Sequence, residues 1–263
     1  MADIKVVVHG ALGRMGQEVL RAVTNAPDMQ LVGAADGRAT PGTLMIPDGS
    51  AEIPISNSLA DALSDAQVVV DFSSAAGAMS VLRTASAHRV NAVVGSTGLS
   101  DDNFAETKKL ADDNSVGIII APNFAMGAVL MIHLAEAAAK FFDYVDLTEM
   151  HHEAKIDAPS GTAMAIARAL VAGKSGQFTA PKAQEELVEG ARGGDYEGVV
   201  IHSARMPGLM AHHEVVFGAL GQTLTIRHDS INRESFMPGV TLAIREVVKR
   251  TGLTVGLDKI MGL

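Results

Sequence analysis

The chain has 263 residues, of which 48% are hydrophobic and 19% charged, a balance that excludes a disordered chain and suits one large α/β domain or two smaller ones. Thirty Asp and Glu against 21 Lys and Arg leave a net charge of −9; without a long basic run, nucleic-acid binding is disfavoured and any anionic ligand needs a local cationic pocket. With no cysteine, disulfides, thiolate nucleophiles, iron–sulfur clusters and cysteine-bound zinc are excluded.

The opening MADIKVVVHG has one Lys inside a short apolar run and no small-residue cleavage site, and no later run approaches the roughly 20 apolar residues of a membrane span. A cytoplasmic protein without membrane contact is expected. Up to about Asn123, β-runs alternate with helical stretches: Ile4 to His9, Gln30 to Ala35, Gln67 to Phe72, Asn91 to Gly95 and Val116 to Ala121. They are continuous and rich in Val and Ile, as in a parallel sheet covered by helices on both faces, which predicts a doubly wound α/β unit.

A long apolar helix is predicted over Met126 to Phe142, then a β-run at Tyr144 to His151 and a helix opening at Pro159-Ser160-Gly161-Thr162, with Ser160 or Thr162 as N-cap. Gly173 to Gly194 is polar and predicts a surface loop. Three β-runs follow, Gly198 to Met206, His212 to Phe217 and Thr223 to Asp229; their short connections predict antiparallel neighbours and hence a second, mixed sheet. Arg233 to Arg250 reads as a helix interrupted at Pro238-Gly239, before a Gly-punctuated tail. The expected organisation is a dinucleotide domain of residues 1–123 and 232–263 and a substrate-binding and oligomerisation domain of residues 124–231.

The first β-run ends in Gly10-Ala11-Leu12-Gly13-Arg14-Met15-Gly16, directly before a helical stretch. Glycines at this spacing allow a tight turn, let backbone approach a pyrophosphate and let the helix pack on the strand, while the helix N-terminus offers free N–H groups to the anion. Asp36, at the end of the second β-run, is placed to accept hydrogen bonds from ribose hydroxyls. A carboxylate there favours NADH, whereas Arg14 and Arg38 are near enough in sequence to offset its charge for NADPH. Gly95-Ser96-Thr97-Gly98 and Ala121-Pro122-Asn123-Phe124 follow later strands, where an open α/β sheet holds its ligand.

The densest chemistry lies in Glu149-Met150-His151-His152-Glu153-Ala154-Lys155-Ile156-Asp157-Ala158-Pro159-Ser160-Gly161-Thr162. Two imidazoles, an ammonium and a Ser-Gly-Thr helix start suit a small anionic substrate: N–H groups of Gly161 and Thr162 can grip one carboxylate and Lys155 another. The competing reading is a metal held by His151, His152, His202, His212 and His213. Adjacent strand residues point to opposite faces and no HExxH motif occurs, so no metal is expected.

These stretches resemble the dihydrodipicolinate (4-hydroxy-tetrahydrodipicolinate) reductase family, over nearly the whole chain: GALGRMG at 10–16, GSTG at 95–98, APNF at 121–124, HHEAKIDAPSGT at 151–162, EGARGG at 189–194 and HSARMPG at 202–208. The resemblance implies an NADH- or NADPH-dependent reductase of the diaminopimelate route to lysine, a Rossmann-like fold with a second mixed-sheet domain, and a homotetramer. It implies that His151 is the proton donor, that Lys155 is a second donor pairing with substrate, and that His152, Ser160, Gly161 and Thr162 bind the dicarboxylate. Gly10, Ala11, Leu12, Gly13, Arg14, Met15, Asp36, Gly95, Ser96, Thr97, Ala121, Pro122, Asn123 and Phe124 carry over as cofactor contacts. Ser96 stands where many members have Thr, and Asp36 where others have Glu, which bears on the choice between NADH and NADPH. A rival class, a nucleotide-binding sensor that consumes no cofactor, would use the same glycine turn without an acid beside it.

Overall fold

The computed structural model describes residues 3–47 and 49–263. In chain order the elements are β1 (Ile4–His9), α1 (Arg14–Thr24), β2 (Met29–Ala35), β3 (Gly42–Met45), β4 (Glu52–Ser56), α2 (Leu59–Ala62), β5 (Val68–Asp71), α3 (Ala75–Ala87), β6 (Asn91–Val94), α4 (Asp101–Asn114) and β7 (Gly117–Ile120). They continue as α5 (Met126–Ala139), β8 (Tyr144–His151), α6 (Gly161–Gly173), β9 (Gly194–Tyr196), β10 (Val199–Arg205), β11 (Ala211–Ala219), β12 (Gln222–Ser230), α7 (Met237–Val247), β13 (Gly252–Val255) and α8 (Asp258–Met261). The chain divides into two units: residues up to Met126 together with Phe236–Leu263, and Gly127–Ser235.

In the first unit the sheet order is β13-β7-β6-β5-β1-β2-β4-β3, parallel except where β3 runs against β4. This is a Rossmann-like, doubly wound arrangement. Every residue of β5 and β7 is buried, because helices cover both faces and a strand so enclosed favours β-branched side chains throughout. Val7, Val69, Val94 and Ile118 pack with Met79 and Leu82 of α3 and Ala111 of α4, while α7 lies against β5, β6 and β7. The chain leaves β1 toward β2 on one side and returns to β5 on the other, so the order reverses between β1 and β5.

Two strand regions escaped the sequence pattern. The β3–β4 hairpin is short, largely exposed and contains Pro54, a residue that argues against a strand unless its missing N–H is tolerated. β13 is four residues long between Gly252 and Gly256, with φ of +86° and +97°, and such flanks read as loop. The expected break at Pro238 is instead a helix start: Pro238 lies in the first turn of α7, where its absent N–H has no partner to lose, and Arg233–Phe236 forms a separate 3₁₀ turn.

In the second unit the sheet order is β12-β11-β8-β10-β9. β8 pairs parallel with β10 and antiparallel with β11, so this sheet is mixed. The expectation that β10 and β11 are neighbours fails, because β8 lies between them; only β11 and β12 pair directly as expected. The link 206–210 can span up to about 17 Å, more than the roughly 10 Å across two strand spacings, so its shortness did not compel adjacency. β8 alternates along its length, with Val145, Leu147, Glu149 and His151 buried. Val145 and Leu147 enter a core with Met131, Ile166, Leu170, Val199 and Phe217, and the period of two carries Glu149 and His151 inward on the same face. Among the described residues no helix is long and apolar enough to cross a membrane.

Candidate active site

In the first unit the glycine turn is shaped by what cannot be there. Gly10 has φ of +71°, a conformation costly for residues with a Cβ. A Cβ on Gly16 would stand 2.2 Å from the Gly10 carbonyl oxygen and 2.8 Å from Ala11 Cα, so only glycine lets α1 lie this close to the end of β1. Gly13 caps α1 without any side-chain hydrogen bond, and α1 therefore begins with first-turn N–H groups that no side chain satisfies. Such a cradle at a helix N-terminus fits a pyrophosphate.

Asp36 is buried behind this turn, and its carboxylate accepts the Leu12 N–H at 3.1 Å and three bonds from Arg38, including Nε at 3.0 Å and Nη2 at 3.1 Å. The Arg38 guanidinium holds the Asp36 carboxyl at about 2, against the burial that pushes it up. Asp36 is thus an ionised acceptor fastened to the turn, with two donors on each of its oxygens. Arg14 and Leu12 are exposed, Met15 half-buried and Ala11 fully buried.

The two other predicted turns converge in the same unit. A Cβ on Gly95 would lie 2.0 Å from the Phe72 ring, and Phe72 packs against Phe124 with ring centroids 5.5 Å apart. Ala121 and Phe124 are buried, Asn123 is half-buried, and Thr97 and Pro122 are exposed. The Asn123 side chain accepts the Ala125 N–H at 2.8 Å. Ser96 is buried and donates to Asp71 Oδ2 at 2.7 Å. Asp71 and His9, which lie 2.6 Å apart, were absent from the sequence reading.

In the second unit the end of β8 builds a different cluster. Glu149 is wholly buried and bonds His151 Nδ1 at 2.5 Å through Oε2 and Arg205 Nη2 at 2.6 Å through Oε1. Burial raises its pKa, yet hydrogen bonds from His151, Arg205 and Ser203 outweigh that and bring it to about 2. An ionised carboxylate only accepts, so His151 Nδ1 donates and Nε2 is the nitrogen left for chemistry. His213 packs edge-on to His151, centroids 5.4 Å apart, with its Nε2 3.2 Å from Ser160 Oγ. Burial, then the neighbouring His151, lowers His213 to about 4, which keeps it neutral.

Ser160 is the N-cap of α6 and accepts the Ala163 N–H at 3.1 Å. Gly161 is exposed, and a Cβ there would meet nothing within 4 Å. Lys155 follows His152 in a turn, its N–H bonding the His152 carbonyl at 3.2 Å, and its Nζ contacts Asp157 Oδ1 at 2.6 Å. Lys155 foremost, and also the Gly161 N–H, hold the Asp157 carboxyl below the usual range. An internal carboxylate thereby occupies the ammonium and helix start expected to hold a substrate carboxylate. Arg205 closes the arrangement by donating to the Asp157 carbonyl at 2.7 Å.

The predicted residues thus gather into two sets, one in each unit. Glu149 and Arg205 were missed as functional residues. Glu149 was detectable because, two residues from His151 on a strand, it must share its face; Arg205 lies in the HSARMPG stretch, but no local spacing ties it to Glu149.

Two family descriptions match: dihydrodipicolinate reductase, N-terminus, over residues 4–124, and dihydrodipicolinate reductase, C-terminus, over residues 127–261. The chain is 48% identical to a 4-hydroxy-tetrahydrodipicolinate reductase of Dehalococcoides mccartyi, covering 100% of both chains, and 43% identical to one of Moorella thermoacetica, covering 99% of both. A solved structure of dipicolinate-bound dihydrodipicolinate reductase from Paenisporosarcina sp. TG-14 superposes with a TM-score of 0.87 at 38% identity, over 98% of this chain and 99% of that one.

Proposed function

The chain belongs to the dihydrodipicolinate reductase family, and we propose that the first unit holds the cofactor while the second binds the dicarboxylate and supplies protons. The protein is an NADH- or NADPH-dependent oxidoreductase of lysine and diaminopimelate biosynthesis, reducing 4-hydroxy-tetrahydrodipicolinate to tetrahydrodipicolinate. Gly10 to Met15, Asp36, Gly95 to Thr97 and Ala121 to Phe124 would hold the dinucleotide, which when bound supplies the hydride.

The reading of the second unit rests on the chain from half-buried Arg205 to buried Glu149 and His151. The 4-hydroxyl leaves as water, and as negative charge grows on the carbon–nitrogen framework of the substrate on reduction, His151 Nε2 gives up a proton. The ring is then left as the Nδ1–H tautomer from which Glu149 already accepts, so no rearrangement follows. Arg205 keeps Glu149 ionised whichever state His151 is in. Lys155 and His152 meet one substrate carboxylate, while Ser160, Gly161 and Thr162 at the start of α6 meet the other. The incoming dicarboxylate takes over the contacts that Asp157 makes with Lys155 and the Gly161 N–H.

We place the enzyme in the cytoplasm, with the NADH and NADPH it consumes, and assign it a homotetramer built through the second unit. That assembly is supported by β12, a nine-residue edge strand exposed at Gln222 to Thr225, and by exposed Tyr144 and Leu220; light scattering that returned a monomer would overturn it.

Replacing His151 with Gln or Lys155 with Ala should lower kcat by about 10²–10⁴-fold while NADH binding, read by fluorescence titration, stays at the wild-type value. Near-normal turnover in both variants refutes the assignment.

A further inference from the structure

Asp71 does something the proposed chemistry has not used. It ends β5, where Val68, Val69 and Val70 show what packing alone selects, and it is 0% exposed. A buried carboxylate is unfavourable unless every oxygen is engaged. Here Oδ1 faces His9 Nδ1 at 2.6 Å and Oδ2 accepts from Ser96 Oγ at 2.7 Å, while Ser96 Oγ in turn accepts the Ser73 N–H at 2.8 Å.

The three partners stand on three different turns at the carboxyl ends of adjacent strands. His9 is the last residue of β1, immediately before Gly10; Ser73 lies between β5 and α3; Ser96 follows β6. In the sheet these strands run β6-β5-β1, and the order of the chain reverses between β1 and β5, the place where a doubly wound sheet receives its ligand. His9 keeps 20% of its side chain exposed while Asp71 keeps none. One carboxylate therefore sets the relative height of the glycine turn, the start of α3 and the 95–98 turn.

We propose that Asp71 is a positioning residue for the dinucleotide, acting through His9 and Ser96, and that the Ser96 hydroxyl serves this internal bond instead of a ligand. The hydroxyl has spent its proton on Asp71 and a lone pair on Ser73, so the ligand-facing groups of that turn are the backbone and the exposed Thr97. The proposal rests on the first unit being the cofactor site.

The test uses the full-length protein with Ser96→Ala, Ser96→Thr and Asp71→Asn, measuring NADH and NADPH dissociation constants by fluorescence without substrate, the KM for cofactor, kcat at saturating cofactor, and apo Tm. Ser96→Ala, the mild change, should weaken cofactor binding about ten-fold, the size of one hydrogen bond to a charged group, with kcat nearly unchanged. Ser96→Thr, which keeps a hydroxyl, should restore wild-type affinity, and Asp71→Asn should weaken it at least as much as Ser96→Ala. A lowered Tm with cofactor affinity within two-fold of wild type would reduce the network to a structural role and overturn the proposal, as would a Ser96→Thr variant as weak as Ser96→Ala. If the wild-type chain binds neither NADH nor NADPH, the cofactor reading itself is wrong; a bound wild type with unaffected variants sinks only the positioning role.

Discussion

Each unit buries a carboxylate completely and sets a histidine against it, Asp71 with His9 and Glu149 with His151, both toward the carboxyl end of a strand. What differs is the second partner. Glu149 has a guanidinium at 2.6 Å, so its charge is balanced whether or not His151 carries an extra proton. Asp71 has a serine hydroxyl, which orients but does not neutralise. The first arrangement suits a histidine whose proton count changes during a reaction, the second a joint between turns. Among buried carboxylate–histidine pairs, the partner on the far oxygen separates chemistry from positioning.

The contrast can be broken most directly at Glu149. Glu149→Gln keeps the shape but removes the anion that holds His151 Nδ1–H, so kcat should fall by about a hundred-fold or more with cofactor affinity untouched. If Glu149→Gln instead weakened NADH binding and spared kcat, the two pairs would have exchanged roles and the division drawn between them would be wrong.

Acid stability sharpens it next. His213 is buried neutral, with its pKa lowered from the ordinary 6.5 to about 4 by burial and then by His151. A lowered folded pKa means stability that is intact above pH 6.5 and lost as pH falls toward 4, in total on the order of 3 kcal/mol. Tm recorded between pH 7 and 4 should therefore slope less steeply in His213→Gln than in wild type. Glu149, held at about 2, adds its own loss only below its ordinary 4.5, so an undiminished slope between pH 6.5 and 5 in the variant would exonerate His213.

The smallest expected effect is at Asp157, whose contacts with Lys155 and Gly161 are those proposed for substrate. As an exposed pair it contributes little, so Asp157→Asn should tighten dipicolinate binding by only about two- to five-fold, measured by calorimetry in the presence of NADH. Weaker binding would make Asp157 a supporting part of the pocket and not a competitor for it.

Which features were readable beforehand follows from how local they are. The glycine turn could be recognised because strand, turn and helix lie within residues 4–24, and each glycine answers to its own neighbours: Gly16 to the Gly10 carbonyl, Gly10 to its own φ. The His151 to Thr162 stretch was legible for the same reason, with its donors in one short segment and Ser160 capping the helix it precedes. Glu149 and Arg205 lie 56 residues apart, and His9 and Asp71 62 apart. These pairs exist only because β10 takes its place beside β8 and β5 beside β1, and the first of those neighbours was mistaken when short connections were read as adjacency.

From its residues alone the chain settled a parallel sheet of β-branched strands, a phosphate-type turn with an acidic residue behind it, and a compact imidazole, amine and helix-start cluster, since period, turn and cap are decided within a few residues. Strand order decided the rest. Side chains on neighbouring strands meet according to register, which no local pattern encodes, and so it was the folded sheets that placed Arg205 on Glu149, His213 against His151, and His9 and Ser96 on either side of Asp71.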